Sequence, residues 1–363
     1  MTSNTKQPAR GFFDEYEQLE KLSKLKDPLE KLTLKIDFEV FRESLNSIYK
    51  KTDAKSTAGA KPYDYVLMFK IIILQRLYNL SDEQTEIQLN DRLSFKRFTG
   101  LDFSHKVPDA NTIWTFKEKL KENDNERKLF DCFYKEIEAQ NLIVSEGKMV
   151  DASFHEVPRQ RNSREENKEL KEGTIPQEWK EEKHTHKLSH KDTDARWTRK
   201  NNQTFYGYKN HVKADVGSKL IDNYTVTAAS VHDSQALETL LDEKDKGQPL
   251  YGDSAYTGDD QQKSISKAEM LNKIHEKGYK NKPLTEEQKN NNRNKSKYRA
   301  RVEHIFGFVQ TSMKGTYIRS IGIARARVVI GLTNLAYNIC RAVQLNINML
   351  KDTCVQSAKS VKL

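Results

Sequence analysis

Two β-prone segments joined by a short turn restrict the folds that the second half of the chain can adopt. They span Phe205–Asp215 and Leu220–Ala229, and the residues between them, Val216-Gly-Ser-Lys, are typical of a turn. This arrangement predicts an antiparallel hairpin. A further apolar segment, Pro249–Asp253, predicts a short buried strand. Helical patterns alternate with these strands, so we expect an α/β or α+β domain built around one mixed sheet.

The segments around these strands carry further expectations. A strand pair or a bulge is expected near Gly147, in a β-prone run at residues 142–152. A mixed-charge tract at about residues 159–200 predicts either a solvated helix or a mobile insertion. Asp233 is expected to cap a helix that ends near Leu241. The polar run Thr285–Lys297 is expected to lead into the helix that carries Glu303.

The first part of the chain has the spacing of helices rather than strands. Apolar residues between Tyr63 and Tyr78 recur at helical intervals. Ser81 predicts the cap of the next helix, with Gln84 closing a capping box. Short helices joined by tight turns leave two interpretations open: a helix-turn-helix unit that presents a recognition helix to DNA, or an ordinary helical packing domain.

These patterns divide the chain into four parts. Residues 1–60 form a partly helical extension, and residues 61–140 a helical domain that we expect to bind DNA. Residues 141–345 form the sheet domain with its charged insertion, and residues 346–363 a tail.

The charge balance bears on the partner. The chain has 62 Lys and Arg residues against 52 Asp and Glu residues, a formal net charge of +10. Such an excess favours an anionic partner, most often nucleic acid. The N-terminus lacks the apolar region of a signal peptide, and no apolar run approaches the length of a membrane span. We therefore expect a cytoplasmic, DNA-associated protein with no membrane partner.

Three acidic residues stand out by their surroundings. Asp151 lies in Met149-Val-Asp-Ala-Ser, Asp253 lies at the end of a predicted strand, and Glu303 lies in a basic helical segment. Carboxylates on rigid elements suit Mg²⁺, which prefers hard oxygen ligands and leaves positions for substrate phosphate. Two such ions can stabilise both the attacking and the leaving oxygen of a phosphoryl transfer. Spacing alone does not select these three among 52 acids.

Five ordered motifs make the selection specific, because together they resemble a DDE transposase of the insertion sequence 5 family. The motifs are Met149-Val-Asp151-Ala-Ser, Tyr206-Gly-Tyr-Lys-Asn-His211, Ser230-Val-His-Asp-Ser, Leu250-Tyr-Gly-Asp253-Ser-Ala-Tyr-Thr-Gly258 and Arg299-Ala-Arg-Val-Glu303-His-Ile-Phe-Gly. The N-terminal segment from Tyr63 to Thr112 resembles the same family. The resemblance implies an RNase H-like catalytic domain, in which Asp151, Asp253 and Glu303 are the catalytic acids and the ligands of Mg²⁺, or of Mn²⁺ as its substitute, with two ions bound.

The resemblance also implies a reaction and its partners. The enzyme would cleave at the terminal inverted repeats of an insertion element and join the freed 3′-hydroxyls to target DNA, acting as a homodimer or larger assembly. Two alternatives remain: an inactive DNA-binding protein derived from a transposase, and a nuclease of the same fold without strand transfer.

Several basic and aromatic residues are expected to contact DNA. Arg299 occupies the position four residues before the glutamate where the family often has arginine, and Arg301 follows it. Ser296 and Gln310 stand where the family often has tyrosine and lysine, so Lys314 is considered as a substitute one helical turn later. Lys209 and Trp197 complete the expected DNA contacts, as residues that border the DNA channel or stack on unpaired bases.

Overall fold

Eight helices precede the sheet in the part of the chain that the structure, a computed structural model, describes. The described residues are 14–49, 61–102, 104–181, 185–200, 202–280, 282–347 and 349. The helices are α1 Asp14–Lys24, α2 Pro28–Lys35, α3 Arg42–Tyr49, α4 Tyr65–Leu77, α5 Asp82–Asp91, α6 Leu93–Thr99, α7 Ala110–Leu120 and α8 Asn125–Ala139.

Helix α4 lies at the centre of this helical region, and its apolar residues are buried around most of its circumference. It starts where the Asp64 carboxylate accepts hydrogen bonds from the backbone N–H groups of Val66 and Leu67. Ser81 caps α5 as predicted, since its hydroxyl accepts a hydrogen bond from the Gln84 N–H. Helix α6 ends at Gly100, whose left-handed conformation glycine adopts without strain.

The sheet domain contains six strands and the remaining helices. The strands are β1 Lys148–Glu156, β2 Arg196–Lys200, β3 Gln203–Asp215, β4 Ile221–Ala228, β5 Pro249–Tyr251 and β6 Leu271–Asn272. Between and after them lie α9 Arg164–Lys171, α10 Thr185–His190, α11 Leu237–Leu240, α12 Asp259–Lys267, α13 Glu286–Arg299, α14 Val302–Gly307 and α15 Ile323–Gln344.

The predicted hairpin is present as β3 and β4, which pair antiparallel. β1 pairs antiparallel with β3 on one side and parallel with β5 on the other, and β5 pairs parallel with β6. The order across the sheet is therefore β4-β3-β1-β5-β6, with β3 alone among these five running against the others. This is the mixed sheet of an RNase H-like domain, as the resemblance implied.

A buried ionic network connects the three central antiparallel strands. Lys148 on β1 lies 2.7 Å from a carboxylate oxygen of Asp222 on β4. Lys213 on β3 pairs with Asp242, at 2.8 Å, and with Asp245. Removing one member would leave another charge buried without a partner, so the network fixes β1 relative to β3 and β4.

The described parts of the charged tract, residues 159–181 and 185–200, contain short helices, a strand and a small core of their own, so neither expected form describes these residues. The Trp179 side chain is fully buried, and its indole N–H donates to the Glu166 carboxylate at 2.6 Å. Ser163 and Glu166 form a capping box at the start of α9. The tract ends in β2, which pairs with β3 and extends the sheet. The buried Trp179 side chain thus provides an apolar centre for this tract, which its mixed-charge composition did not indicate.

Two local expectations need correction. The cap of the helical turn after β4 is His232 rather than Asp233, because the Asp233 carboxylate binds Lys209 instead. The polar run before Glu303 is itself a helix, α13, capped by Thr285. The chain turns at Ala300 and Arg301, and α14 then carries Glu303.

Helix α15 packs against both parts of the molecule. It contacts α4 and α8 of the helical region and β3 and β4 of the sheet. The same apolar cluster includes Phe69 of α4, Phe130 of α8, Val212 of β3 and Leu335 of α15. Within the described residues, no helix has both the length and the apolar character needed to cross a membrane.

Candidate active site

The pairing of β1 with β5 brings Asp151 and Asp253 together. Lys148 lies opposite Leu250 and Met149 opposite Tyr251, so continuing this parallel register by two residues places Asp151 beside Asp253. Neighbouring strands lie about 4.8 Å apart. Asp253 follows the last residue of β5, and its carboxylate accepts a hydrogen bond from the Ala255 N–H at 2.9 Å. The Asp253 charge acts on the Asp151 carboxyl, so the two aspartates predicted from sequence lie near each other, one on β1 and one just after β5.

Glycine at position 252 permits this close approach. A Cβ atom there would lie 2.8 Å from Ile274 Cδ1 and 3.0 Å from Val150 Cγ2. Contacts this short would push the end of β5 away from β1. The Tyr-Gly-Asp sequence thus combines a buried strand, a residue without a side chain and a carboxylate at the sheet edge.

Arg299 connects the third acid to the first. Its Nη1 lies 3.2 Å from Asp151 Oδ2, and its Nη2 lies 3.5 Å from Glu303 Oε1. Arg299 is the last residue of α13, and Glu303 lies in the first turn of α14. The Glu303 side chain is 66% exposed, whereas that of Asp151 is 13% exposed. The site therefore has one buried carboxylate and one that can rotate into solvent.

The pKa of the Asp151 carboxyl is raised to about 6, chiefly by burial and also by the negative charge of Asp253, while the Ala152 N–H and the Arg299 guanidinium act in the opposite direction. A carboxylate that is disfavoured by burial and by a like charge is one that a bound cation would stabilise. The surroundings of Asp151 thus suit a carboxylate that holds a cation.

Several groups near the acids were not selected from sequence. The positive charge of Lys200, on β2, acts on Asp151. His275 lies 3.3 Å from the Ser296 hydroxyl, and its pKa is lowered by burial and by the charges of Arg299 and Lys295. Strand pairing across an insertion brings Lys200 to the site, so no local motif could have identified it.

Tyr298 lies two residues from the position where the family often has tyrosine. Its ring stacks on that of Tyr251, with centroids 4.7 Å apart. An aromatic ring is therefore present beside the end of β5 although Ser296 occupies the expected position.

The segment after Glu303 departs from the α-helical geometry that the sequence comparison assumed. Residues Phe308–Ser312 form a π-helical turn, and Lys314 lies beyond the helix with a positive φ of 51°. Counting helical turns therefore does not place Lys314 relative to Glu303, and its side chain is exposed after the helix ends. Gln310 lines a cavity of about 400 Å³ together with the stacked rings of Phe154 and Phe205.

The other expected DNA contacts have different surroundings. Arg301 donates to the Glu146 carboxylate and to the Val216 carbonyl oxygen, groups other than the three acids. Lys209 is buried, and its ammonium group donates to Asp233 at 2.8 Å and to the Val231 carbonyl oxygen at 2.7 Å. Trp197 on β2 remains partly exposed and packs against Tyr206.

The donor set of the three acids fits Mg²⁺ by its chemistry, because all three supply carboxylate oxygens. Over the described ranges, no three His, Cys, Asp or Glu side chains are grouped as a ready metal site. Arg299 instead contacts two of the three carboxylates. Metal binding at these residues would therefore require Glu303 and Arg299 to rearrange.

The sheet has the strand order of an RNase H-like domain, with Asp151 within β1, Asp253 just after the neighbouring β5 and Glu303 on a later helix. This is the arrangement that the resemblance to DDE nucleic-acid enzymes implied. The family described as Transposase DDE domain matches residues 145–339, which is more than half of the chain. The chain belongs to this family and is a DDE transposase. Residues 17–119 match a second family, described as Transposase domain (DUF772). The assignment to the insertion sequence 5 group stays a prediction.

Among solved structures, the chain is similar to a piggyBac transposase studied by cryo-EM in a synaptic complex with hairpin DNA. The identity is 13% and the TM-score 0.44, over 88% of this chain and 75% of the other.

Proposed function

We propose that this transposase cleaves DNA at the ends of an insertion element and joins the freed 3′-hydroxyls to target DNA. The observation that supports the proposal is the parallel pairing of β1 with β5, which ends two residues before Asp151 and Asp253, together with the Arg299 contacts to Asp151 and Glu303. Both steps are phosphoryl transfers, in which positioning and charge stabilisation provide most of the catalysis.

Asp151, Asp253 and Glu303 would hold Mg²⁺, or Mn²⁺ in its place, and two bound ions would activate the nucleophile and stabilise the leaving oxygen. Asp151 is held by the pairing of β1 with β3 and by a hydrogen bond from the Ala152 N–H, and Asp253 accepts a hydrogen bond from the Ala255 N–H. Glu303 is exposed and can turn toward them. Arg299, once released from the carboxylates, would be placed to bind a phosphate beside the reacting bond.

DNA delivery is assigned to several surfaces. We assign DNA contacts to the helical region at residues 61–140, and also to the exposed Lys314, the half-buried Arg301 and Trp197 on β2. These groups would contact the terminal inverted repeats or target DNA. Lys209 would act indirectly, by holding Asp233 and the Phe154 ring at the border of the DNA channel. A homodimer or larger assembly would hold two element ends at once, in the cytoplasm where the DNA lies.

The decisive test compares Asp253→Asn with Asp260→Asn on DNA that carries the terminal inverted repeats. Asp260 is an exposed aspartate on α12, so its substitution keeps the charge change but leaves the site intact. We expect Asp253→Asn to reduce cleavage about a thousandfold, the effect of losing about 4 kcal/mol of transition-state stabilisation, with DNA binding retained. Asp260→Asn should cleave like the wild type. Cleavage by Asp253→Asn at the wild-type rate would contradict the proposal.

The two alternatives are separated by the same assay with pre-cleaved ends. A nuclease without strand transfer would cut but give no joined product. An inactive DNA-binding protein would bind the repeats and give neither product with any divalent cation. Gln310, in place of the family's frequent lysine, is the residue that favours this second alternative.

A further inference from the structure

A second cavity lies on the helical side of the molecule. Its volume is about 710 Å³, within the range of roughly 300 to 1,000 Å³ that is usual for ligand sites. Residues of α4, α5, α7 and α10 line it, together with residues 317–321 and the first turns of α15. The cavity thus lies where the helical region, the charged insertion and the segment after Glu303 meet.

Arg76 on α4 lines this cavity and is 8% exposed. Among the described residues, no oxygen accepts a hydrogen bond from its guanidinium group and no carboxylate lies within ion-pair distance. The Asp82 carboxylate, which is near enough to act on Arg76 electrostatically, binds Lys117 and Gln75 instead. Burial lowers the pKa of Arg76 to about 10, so the group is still protonated at neutral pH. Arg76 is therefore a buried cation at the cavity wall, and its guanidinium group has no ion-pair partner among the described residues.

The surrounding charges favour an anionic ligand as well. Cationic side chains outnumber carboxylates in the lining by five to three: Arg76, Lys117, Lys121, Arg319 and Arg325 against Asp82, Glu83 and Glu118. Lys117, Lys121 and Arg325 are engaged by these carboxylates. Arg319 is exposed and donates to the Asn79 side-chain oxygen at 2.9 Å. Arg76 and Arg319 are thus the two cations that an incoming anion can approach.

Two large aromatic side chains at the same cavity remain exposed to solvent. Trp114 is 49% exposed and Tyr317 is 41% exposed. A tryptophan beside cationic side chains is the combination that stacks on nucleic-acid bases.

The cavity is connected to the active site through the sheet. Tyr317 pairs with Glu156 at the end of β1, and the Glu156 N–H donates to the Thr316 carbonyl oxygen at 2.8 Å. Glu156 lies five residues beyond Asp151 on this strand. At the rise of an extended strand, five residues place Glu156 roughly 17 Å from Asp151. A few nucleotides can span this distance.

We propose that this cavity binds one unpaired nucleotide of the DNA strand that passes the active site, with its phosphate at Arg76 and Arg319 and its base stacked on Trp114. The inference rests on the proposed function for the identity of its ligand. Stacking on the neighbouring base pairs covers the faces of bases within a duplex, so the site would discriminate frayed or single-stranded DNA from intact duplex.

The test is equilibrium binding, by fluorescence anisotropy without divalent metal, of a labelled blunt duplex and of the same duplex with a single-stranded extension on either strand. Wild-type protein should prefer an extended duplex. Trp114→Ala should lose about tenfold in affinity for that duplex and little for the blunt one. Trp114→Phe should restore most of the preference, since it keeps an aromatic ring.

Two further variants complete the design. Arg319→Gln should weaken binding of the extended duplex and reduce its salt dependence. Tyr16→Ala removes another exposed ring, on α1, and should bind both probes like the wild type. Equal affinity of Trp114→Ala and wild-type protein for the extended duplex would overturn this inference alone. Failure of the wild-type protein to bind either probe would overturn the proposed function as well.

Discussion

Arg299 can interact with two kinds of group in the acidic site, the carboxylates and a substrate phosphate. It neutralises part of the charge on Asp151 and Glu303, and the same guanidinium group has the planar shape that suits a phosphate. While it is paired with both carboxylates, it covers the positions from which they would bind a cation. Substrate and cation would therefore replace one set of ion pairs by another within the same small volume.

The free-energy cost of burying Asp151 predicts how a substitution at this residue changes stability. Its pKa of about 6 in the folded protein exceeds the ordinary value of 3.8, so the ionised form destabilises the fold above pH 6. Asp151→Asn should raise the free energy of unfolding at pH 7 by about 2 kcal/mol when metal is absent. The difference in free energy of unfolding between Asp151→Asn and the wild type should decrease as the pH is lowered from 7 to 5, because Asp151 of the folded wild type then takes up its proton.

Urea unfolding in the presence of a chelator measures this difference, and Asp260→Asn provides the exposed control. A less stable Asp151→Asn protein at pH 7 would mean that the ion pair with Arg299 outweighs the cost of burial. Under the proposed function a cation binds the folded state through this carboxylate, so added Mg²⁺ should stabilise the wild type and leave Asp151→Asn unchanged.

Individual residues could be chosen from sequence where a motif surrounds them. Asp151, Asp253 and Arg299 lie together as the motifs implied. Lys200 and the Trp114 cavity could not be chosen in this way, because strand pairing and helix packing between distant segments create their surroundings. Lys209 also lies within a motif and was expected to contact DNA. Its charge is instead paired with Asp233 in the interior of the protein.

Among the elements, the ordered insertion at residues 159–200 depends on few contacts. Although burial opposes it, hydrogen bonds from Trp179 and the Ser163 N–H, with Lys187 and Lys191, hold the pKa of Glu166 at about 2. The carboxylate is thus ionised and tightly bound at neutral pH.

Substitution of Glu166 should loosen this element specifically. Glu166→Gln should increase tryptic cleavage within residues 159–200 severalfold. The substitution removes the carboxylate that accepts a charge-assisted hydrogen bond from Trp179, and it leaves two lysines without their ionic partner. Glu165→Gln changes the adjacent, exposed residue and should be cleaved like the wild type. Peptide mapping by mass spectrometry locates the cuts. Equal protection of both variants would show that apolar packing of Trp179 suffices.

The elements themselves were predictable where the pattern was regular. The β3–β4 hairpin and the strand before Asp253 follow the expected segments closely. Charged and polar runs were the source of error. α9 and α13 have few buried apolar residues, and their capping boxes rather than any apolar period mark where they begin.

For the whole molecule, the net charge of +10 gives a prediction that needs no knowledge of the target sequence. Affinity for duplex DNA should fall at least about tenfold when the salt concentration rises from about 50 to 200 mM, because bound lysines and arginines release condensed counterions. Anisotropy titrations over this range give the slope of log affinity against log salt. A flat dependence would show that phosphate contacts contribute little to binding.

Helix α15 has a consequence for how copies of such a gene can decay. A chain that stops before Ile323 would leave the apolar faces of α4, α8, β3 and β4 without their common partner. Such a fragment would expose surface that drives aggregation or degradation, so it would not survive as a free competitor for the element ends. Point substitutions in the acids, by contrast, leave this helix in place. A stable inhibitor of transposition would therefore arise from a full-length protein with a damaged active site, and not from an early stop codon.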